Sequence, residues 1–514
     1  MINNRQHLAT EVARLQSILF GYFGCIVSLI LVSCGDSSFS SYIDDPLADE
    51  QWYLAGDPLD PSIVHINLPF FSQYRGNGVV VAIVDNGIDM EHEDLSANIE
   101  WGNYSYLPSE YDFSDSDHGT SVAGIIAAIE GNGIGLRGIA PGSKLLAFNA
   151  LRAPSMENIA DALVREKNRV SISNNSWGDF NSWGEPLGLR SVIESALQEG
   201  TRTGRFGKGI VYIFSAGNGA TVDANGIPSD NVNYSGLVNN QYTIPVCALT
   251  EYGEKAVYSE TGATLMVCAP SKDQDSPRGI ATTDVTGDRG YNTSDSKNEF
   301  ENRSYTNNFS GTSAAAPMVS GVVALMLEAN PALSWRDVRY ILAKSAKKND
   351  PEHQDWAKNG AGLNINHSYG FGLADATAAI SMAEVWRPIP QETSIEVQST
   401  VGSAIPDNDI VGISNEIEVI DDITVEFVDI FFDAPDHTRL GDLEIVLISP
   451  SGTSSVLSEK HNQTFEVFRY RNWRFGSIRH LGESSKGTWR LEIKDKRIGE
   501  TGTWKGWGLK IHGF

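Results

Sequence analysis

Residues 79–87 read Val79-Val80-Val81-Ala82-Ile83-Val84-Asp85-Asn86-Gly87. Six apolar residues, five of them β-branched, run without interruption into an aspartate and a turn. A strand with one wet face alternates apolar and polar side chains, whereas a continuous run marks a strand buried on both faces. Outward from it the pattern repeats. Residues 144–149 and 210–215 read as further buried strands, and residues 121–129, 158–167 and 317–328 as helices. From about residue 51 to residue 383, this alternation predicts an α/β fold with a mostly parallel central sheet.

Further along, the character changes. Residues 385–392, with Pro388 and Pro390, read as a linker. Short turn-bounded strands follow at 416–420, 423–432, 443–449, 455–457, 488–494 and 509–512. Few helical patterns accompany them, so this part is an all-β unit, a sandwich or jelly roll. No internal repeat is visible.

The chain has 514 residues, 41% of them hydrophobic, ample for a large core. Its net charge of −26 disfavours nucleic acid as a partner and offers carboxylates to calcium, or serves as a solubilising coat. At the N-terminus, Arg5 and Arg14 precede an apolar stretch over residues 18–32, the plan of an export signal. It ends in Leu31-Val32-Ser33-Cys34-Gly35, which resembles a bacterial lipobox. That resemblance implies export, Cys34 as a lipid-modified N-terminus, and attachment to the cell envelope, facing the periplasm or the outside. An ordinary signal peptide or an uncleaved anchor are the alternatives. A lipid anchor would be the one membrane attachment, since no second apolar run approaches the roughly 20 residues that span a bilayer. Outside the leader, Cys247 and Cys268 lie in strand-like runs. They form either a disulfide or two buried thiols, and the sequence leaves both open.

Three motifs supply the parts of serine-mediated peptide hydrolysis. Asp85 ends a buried strand, where a carboxylate needs hydrogen-bond partners and a histidine N–H is a suitable one. His118 opens His118-Gly119-Thr120, just before a helix. Ser313 lies in Gly311-Thr312-Ser313-Ala314-Ala315-Ala316-Pro317, with the proline suited to a first helical turn. That puts the nucleophile at a helix N-terminus that favours developing negative charge. Asn218, in Ser215-Ala216-Gly217-Asn218-Gly219 after a buried strand, is the oxyanion donor together with the Ser313 N–H. The chain order of aspartate, histidine and serine excludes the α/β-hydrolase plan.

These motifs resemble those of the subtilases, specifically the kexin/furin branch. Further marks are Asn174-Asn175-Ser176-Trp177-Gly178, Gly204-Arg205-Phe206-Gly207-Lys208-Gly209 and Tyr369-Gly370-Phe371-Gly372. The tail resembles the branch's P domain through Gly441-Asp442-Leu443-Glu444, Ser449-Pro450-Ser451-Gly452-Thr453 and Gly487-Thr488-Trp489. The implied organisation is leader 1–34, tether 35–44, subtilisin-like catalytic domain 45–385, linker 386–392 and P domain 393–514. The implied activity is that of a serine endopeptidase acting on proteins and peptides.

The resemblance further implies that Ser176, Trp177 and Gly178 pair with the substrate backbone. It implies a structural calcium held by Asp45, Asp94 and Asn132 with backbone carbonyls of Ile129 and Ile134. A second calcium near the S1 pocket would use Asp230 and Glu260. Asp115 keeps one S2 carboxylate of the branch. The other S2 position is Asn86, and the two acidic S1 positions correspond to Asn181 and Ser235. Cleavage after basic residues therefore stays an open expectation, because a neutral S1 floor lacks the charge-assisted hydrogen bonds that favour a cationic side chain. Only the tether, about ten residues (35–44), lies between the leader and Asp45, where the family usually carries a foldase propeptide, which predicts a separately encoded chaperone or unaided folding. The rival to the protease reading is an inactive subtilase-fold module used for binding or adhesion.

Overall fold

The computed structural model describes residues 44–69, 73–107, 116–178, 184–223, 226–274, 276–462 and 468–514. The apolar run ahead of Asp85 forms β1 (Val80–Val84). It lies inside a six-stranded parallel sheet with β2 (Lys144–Phe148), β3 (Ile172–Asn175), β4 (Val211–Ser215), β5 (Thr243–Leu249) and β6 (Val267–Pro270), in the order β2-β1-β3-β4-β5-β6. Both faces are covered. Val81, Ile83, Leu145 and Ile213 enter one core cluster, while Ala82, Val84, Leu146 and Phe214 enter the other. This is why the strand reads as an unbroken apolar run.

Helices α1 (Asp117–Ala127), α4 (Thr312–Ala329), α5 (Trp335–Ser345) and α6 (Ala376–Val385) contribute to the first cluster. Helices α2 (Met156–Val164) and α3 (Ser191–Gly207) contribute to the second. An antiparallel pair, β7 (Ile280–Thr283) and β8 (Tyr305–Phe309), stands beside the sheet, and a short ribbon joins β9 (Ala357–Lys358) to β10 (Asn364–Ile365). Cys247 and Cys268 are paired residues on β5 and β6 and are joined by a disulfide.

Two helices begin earlier than the sequence pattern indicates. Helix α1 starts at Asp117 rather than near 121, and α4 at Thr312 rather than 317. Pro317 is thus inside α4 and not in its first turn. Both starts are supported from outside the helix. Asn86 Oδ1 accepts the Gly119 N–H at 2.9 Å, and Asn218 Oδ1 accepts the Thr312 N–H at 3.0 Å, satisfying end groups that periodicity cannot anticipate. Helix α4 is apolar enough to cross a membrane, but 83% of it is buried within the protein, so it is a core helix.

After α6, the chain enters two four-stranded antiparallel sheets. One has β11 (Thr393–Ile405), β18 (Gly502–Gly513), β13 (Val425–Ala434) and β16 (Tyr470–Ser477), in that order. The other has β12 (Ile413–Val419), β17 (Gly487–Asp495), β14 (Leu443–Ile448) and β15 (Ser454–Ser458). Trp489, Trp504, Phe432 and Phe475 fill the space between them. Strands β11 and β16 lie outside the strands that the sequence pattern predicts. The first is mostly exposed and the second does not alternate.

The two domains share a polar seam. Asn233 Nδ2 donates to Gly476 O (2.8 Å), and Asn239 receives the Gly476 N–H (2.6 Å) while donating to Arg474 O (2.6 Å). Arg336 on α5 grips Glu426 on β13 through Nε and Nη2, with both side chains largely buried.

Candidate active site

Asp85 follows β1 and is 1% exposed. Its backbone stays in register with β2, donating to Phe148 O at 3.1 Å, so the sheet fixes where the carboxylate stands. The two oxygens face His118 Nδ1 at 2.9 and 3.0 Å. Residue 119 must be glycine, because a Cβ there would lie 1.9 Å from Gly87 O and force α1 off the loop that holds Asp85. Asn86 reinforces this contact. Its Oδ1 caps Gly119, and its Nδ2 donates to Asp117 at 2.8 Å. The His118 ring packs edge-on against Phe309 with centroids 5.5 Å apart. Burial pulls the imidazole pKa down, but the Asp85 charge and hydrogen bond outweigh it and leave the pKa raised.

Ser313 is the second residue of α4. Its hydroxyl donates to Ser176 O at 3.0 Å, the carbonyl where β3 runs out into Ser176-Trp177-Gly178. Trp177 is held by its indole N–H on Val84 O (2.8 Å) and by ring contact with Phe214 (5.3 Å), so this segment is anchored along the cleft. Asn218 lies beyond β4. Its Oδ1 accepts from both the N–H (3.0 Å) and the hydroxyl (2.8 Å) of Thr312, which leaves the NH₂ as the donor end. Thr312 lies within Gly311 to Pro317, but nothing in that stretch signals that it sets the Asn218 amide.

One cleft of about 430 Å³ is lined by Asp85, His118, Ser313 and Asn218 together with Ser176, Trp177, Gly178, Ser235, Asp230 and Glu260. Asp115, Asn181 and Cys34 lie outside the described residues. Beside the cleft, Trp177 and Gly178 also border an apolar cavity of about 420 Å³, whose walls include Leu151, Met156, Leu187 and Phe468, the last from the C-terminal domain.

The residues expected around calcium fall into two groups. Asp45 accepts from the N–H groups of Gly131 (2.8 Å) and Asn132 (3.1 Å), and Asp94 Oδ1 accepts from Asn132 Nδ2 (2.8 Å). Ile129 donates its N–H to Asp94 O, and Ile134 donates to Asn132 Oδ1, so all five residues meet around one loop. Burial, with some repulsion from Asp45, lifts the Asp94 carboxyl to about 7.

In the second group, Asp230 and Glu260 are buried at the cleft wall, and Glu260 accepts the Gly219 N–H at 3.0 Å. Gly217 has φ +118° and a virtual Cβ 2.1 Å from Glu260 Oε1, so only glycine fits between that carboxylate and Asn218. Among the described residues, no cluster of three or more His, Cys, Asp or Glu side chains forms a metal site. A cation in either group would take carboxylates two at a time with amide and backbone oxygens, which suits calcium and not zinc.

A family model for the Subtilase family matches residues 76–372, more than half of the chain. The chain belongs to the subtilase family. It is related to the kexin/furin convertases, and residues 434–511 match the Proprotein convertase P-domain. Proprotein convertase subtilisin/kexin type 6 of Rattus norvegicus is 31% identical over 93% of this chain and 51% of its own length. Protease KEX1 of Kluyveromyces lactis is 32% identical over 92% of this chain and 61% of its own. This subtilase therefore spans half to three-fifths of the length of these two relatives. Among solved structures, the Aeromonas sobria serine protease in complex with the chaperone ORF2 superposes with a TM-score of 0.82 at 29% identity. That match covers 91% of this chain and 95% of the other.

Proposed function

We propose that this subtilase is an exported, calcium-dependent endopeptidase that cleaves protein and peptide substrates through an acyl-enzyme. The observation that carries the reading is the single cleft in which the Asp85–His118 pair, the Ser313 hydroxyl and the Asn218 amide converge. His118 Nδ1–H donates to Asp85, leaving Nε2 to take the Ser313 proton as Oγ bonds to the substrate carbonyl carbon. The oxyanion is received by the Asn218 NH₂ and the Ser313 N–H. The proton then passes from His118 to the leaving amine, and water repeats the sequence to release the acid. An extended substrate would add as a strand along Ser176-Trp177-Gly178.

Calcium, held by Asp45, Asp94 and Asn132 at one place and by Asp230 and Glu260 at the other, supplies charge that lets buried carboxylates stay ionised. The neutral Ser235 in the cleft wall and the neighbouring apolar cavity favour a substrate recognised by apolar side chains over strict selection of basic residues. Envelope anchoring through Cys34 follows from the lipobox resemblance. A separately encoded chaperone is supported by the Aeromonas sobria protease having been solved with one.

The test is hydrolysis of a denatured protein by the purified chain, with Ser313→Ala as blank and calcium chelation as a second arm. Labelling by a serine-directed phosphonylating reagent is read in parallel. Loss of cleavage and label in Ser313→Ala is expected; cleavage that survives the substitution overturns the reading.

A further inference from the structure

Proline at position 317 creates a problem at the nucleophile. In a helix, the carbonyl of Ser313 would be received by the N–H four residues later, and Pro317 has none; its ring also crowds that carbonyl. The Ser313 carbonyl does not go unpaired. Ser176 Oγ donates to it at 3.0 Å, while the Ser313 hydroxyl donates back to Ser176 O at 3.0 Å. Two residues 137 apart in sequence thus exchange a reciprocal pair of hydrogen bonds across the cleft floor.

The direction of the Ser176 bond is fixed deeper in the core. Asn174 Nδ2 donates to Ser176 Oγ at 3.0 Å, so that hydroxyl accepts from behind and has its proton free for Ser313. Asn174 is held in this sense because its Oδ1 accepts from Ser320 Oγ at 2.7 Å. Ser320 is on α4, seven residues after Ser313 and therefore on the same helical face. The chain Ser320–Asn174–Ser176–Ser313 leaves the helix, crosses to the end of β3 and returns to the helix start. Asn174 and Ser320 are 0% exposed and Ser176 is 2%, so water does not compete for these bonds.

We infer that Ser320 and Asn174 are positioning residues for the nucleophile. They hold Ser176 Oγ as a donor to the carbonyl that Pro317 leaves open, and this fixes the first turn of α4 against the substrate-bearing segment. The inference rests on the endopeptidase reading above. A side-chain hydroxyl one shell behind the reacting oxygen matters because a misplacement of about 1 Å at a reacting group costs on the order of 10²-fold in rate.

The experiment compares Ser320→Ala with Ser320→Thr, which keeps the hydroxyl, measuring kcat, KM, thermal midpoint and the rate of phosphonyl labelling of Ser313. In Ser320→Ala, kcat and labelling rate are expected to fall about ten- to a hundred-fold. KM should stay within about twofold, since the lost interaction is not one with ground-state substrate. Ser320→Thr should recover most of the loss. If Ser320→Ala does not fold, Ser320→Cys, a weak donor of similar size, replaces it and must show the same split. Wild-type labelling rates in a folded Ser320→Ala overturn the clamp alone, as do equal losses in the alanine and threonine variants. A wild type that neither labels nor cleaves overturns the protease reading and the clamp with it.

Discussion

The parallel sheet and the C-terminal sandwich bury their apolar residues by opposite rules, and the rules decide which can host chemistry. Strands β4 and β5 are buried at every residue, whereas β14 and β17 alternate buried and half-buried positions along most of their length. A sheet covered on both faces can expose chemistry only where its strands run out. Asp85 after β1, Ser176 after β3 and Asn218 after β4 are three such exits, opening on one side of the sheet. The sandwich has a half-exposed outer face on its β12-β17-β14-β15 sheet, and neither of its sheets puts a side chain into the cleft. What it offers is a firm back wall: β16 and the end of β15 hold the 230–239 loop that carries Asp230 and Ser235. One region supplies the reaction, the other the rigidity of a wall.

The comparison breaks first, and by the largest effect, in the sandwich core. Trp489→Ala removes a fully buried indole and should cost about 3–5 kcal/mol, seen as a large drop in thermal midpoint and folded yield. The kcat of whatever folds should stay near wild type, and a kcat loss without a stability loss would erase the division of labour. The converse variant is Asn218→Ala. It should lower kcat by about 10²–10³, a figure that itself comes from a subtilisin. It should shift the thermal midpoint far less than Trp489→Ala, as circular dichroism melts would show.

A smaller effect probes the seam. Glu459, at the end of β15, accepts from Asn231 (3.0 Å), Thr261 (3.3 Å) and His367 (3.4 Å) of the catalytic domain. Burial would raise this carboxyl, but His367 outweighs it and holds it at about 2. A folded pKa below the unfolded one gives stability that is present above pH ~4.5 and drains away as pH falls toward 2. Glu459→Gln should cost about 1 kcal/mol near neutrality and flatten that acid limb of the thermal midpoint. An identical limb in wild type and variant would remove Glu459 from the seam.

The finest distinction concerns the imidazole. Because Asp85 lifts His118 above its ordinary 6.5, the base stays protonated to higher pH. The acid limb of kcat/KM should therefore have its midpoint above 6.5 and move down when Asp85 is replaced by asparagine. A wild-type midpoint at or below 6.5 would mean that burial, and not Asp85, dominates the imidazole.

Much of this was legible in the chain because it is local. Residues 79–87 give both the strand and the carboxylate at its end, and Gly311 to Pro317 carry the nucleophile and the proline that follows it in one short stretch. The helix starts were not legible, since Asn86 and Asn218 supply their caps from distant loops. Nor was the partnership of Ser320 with Asn174, because nothing in either neighbourhood signals a bond across 146 positions. Strands β11 and β16 escaped for a different reason. Alternation marks a strand only when one face is buried, and β11 is exposed along most of its length. The pairing of Cys247 with Cys268, which the sequence left undecided, follows from their adjacent places on β5 and β6.

Strand β18 is an interior member of its sheet, with β11 on one side and β13 on the other. A ribosome delivers both flanking strands long before it delivers the one that joins them. Until residues 502–513 emerge, β11 has no partner in that sheet, and the wall behind the 230–239 loop rests on an unfinished support. Synthesis therefore withholds a fully braced cleft wall until the nascent chain has been read through to β18.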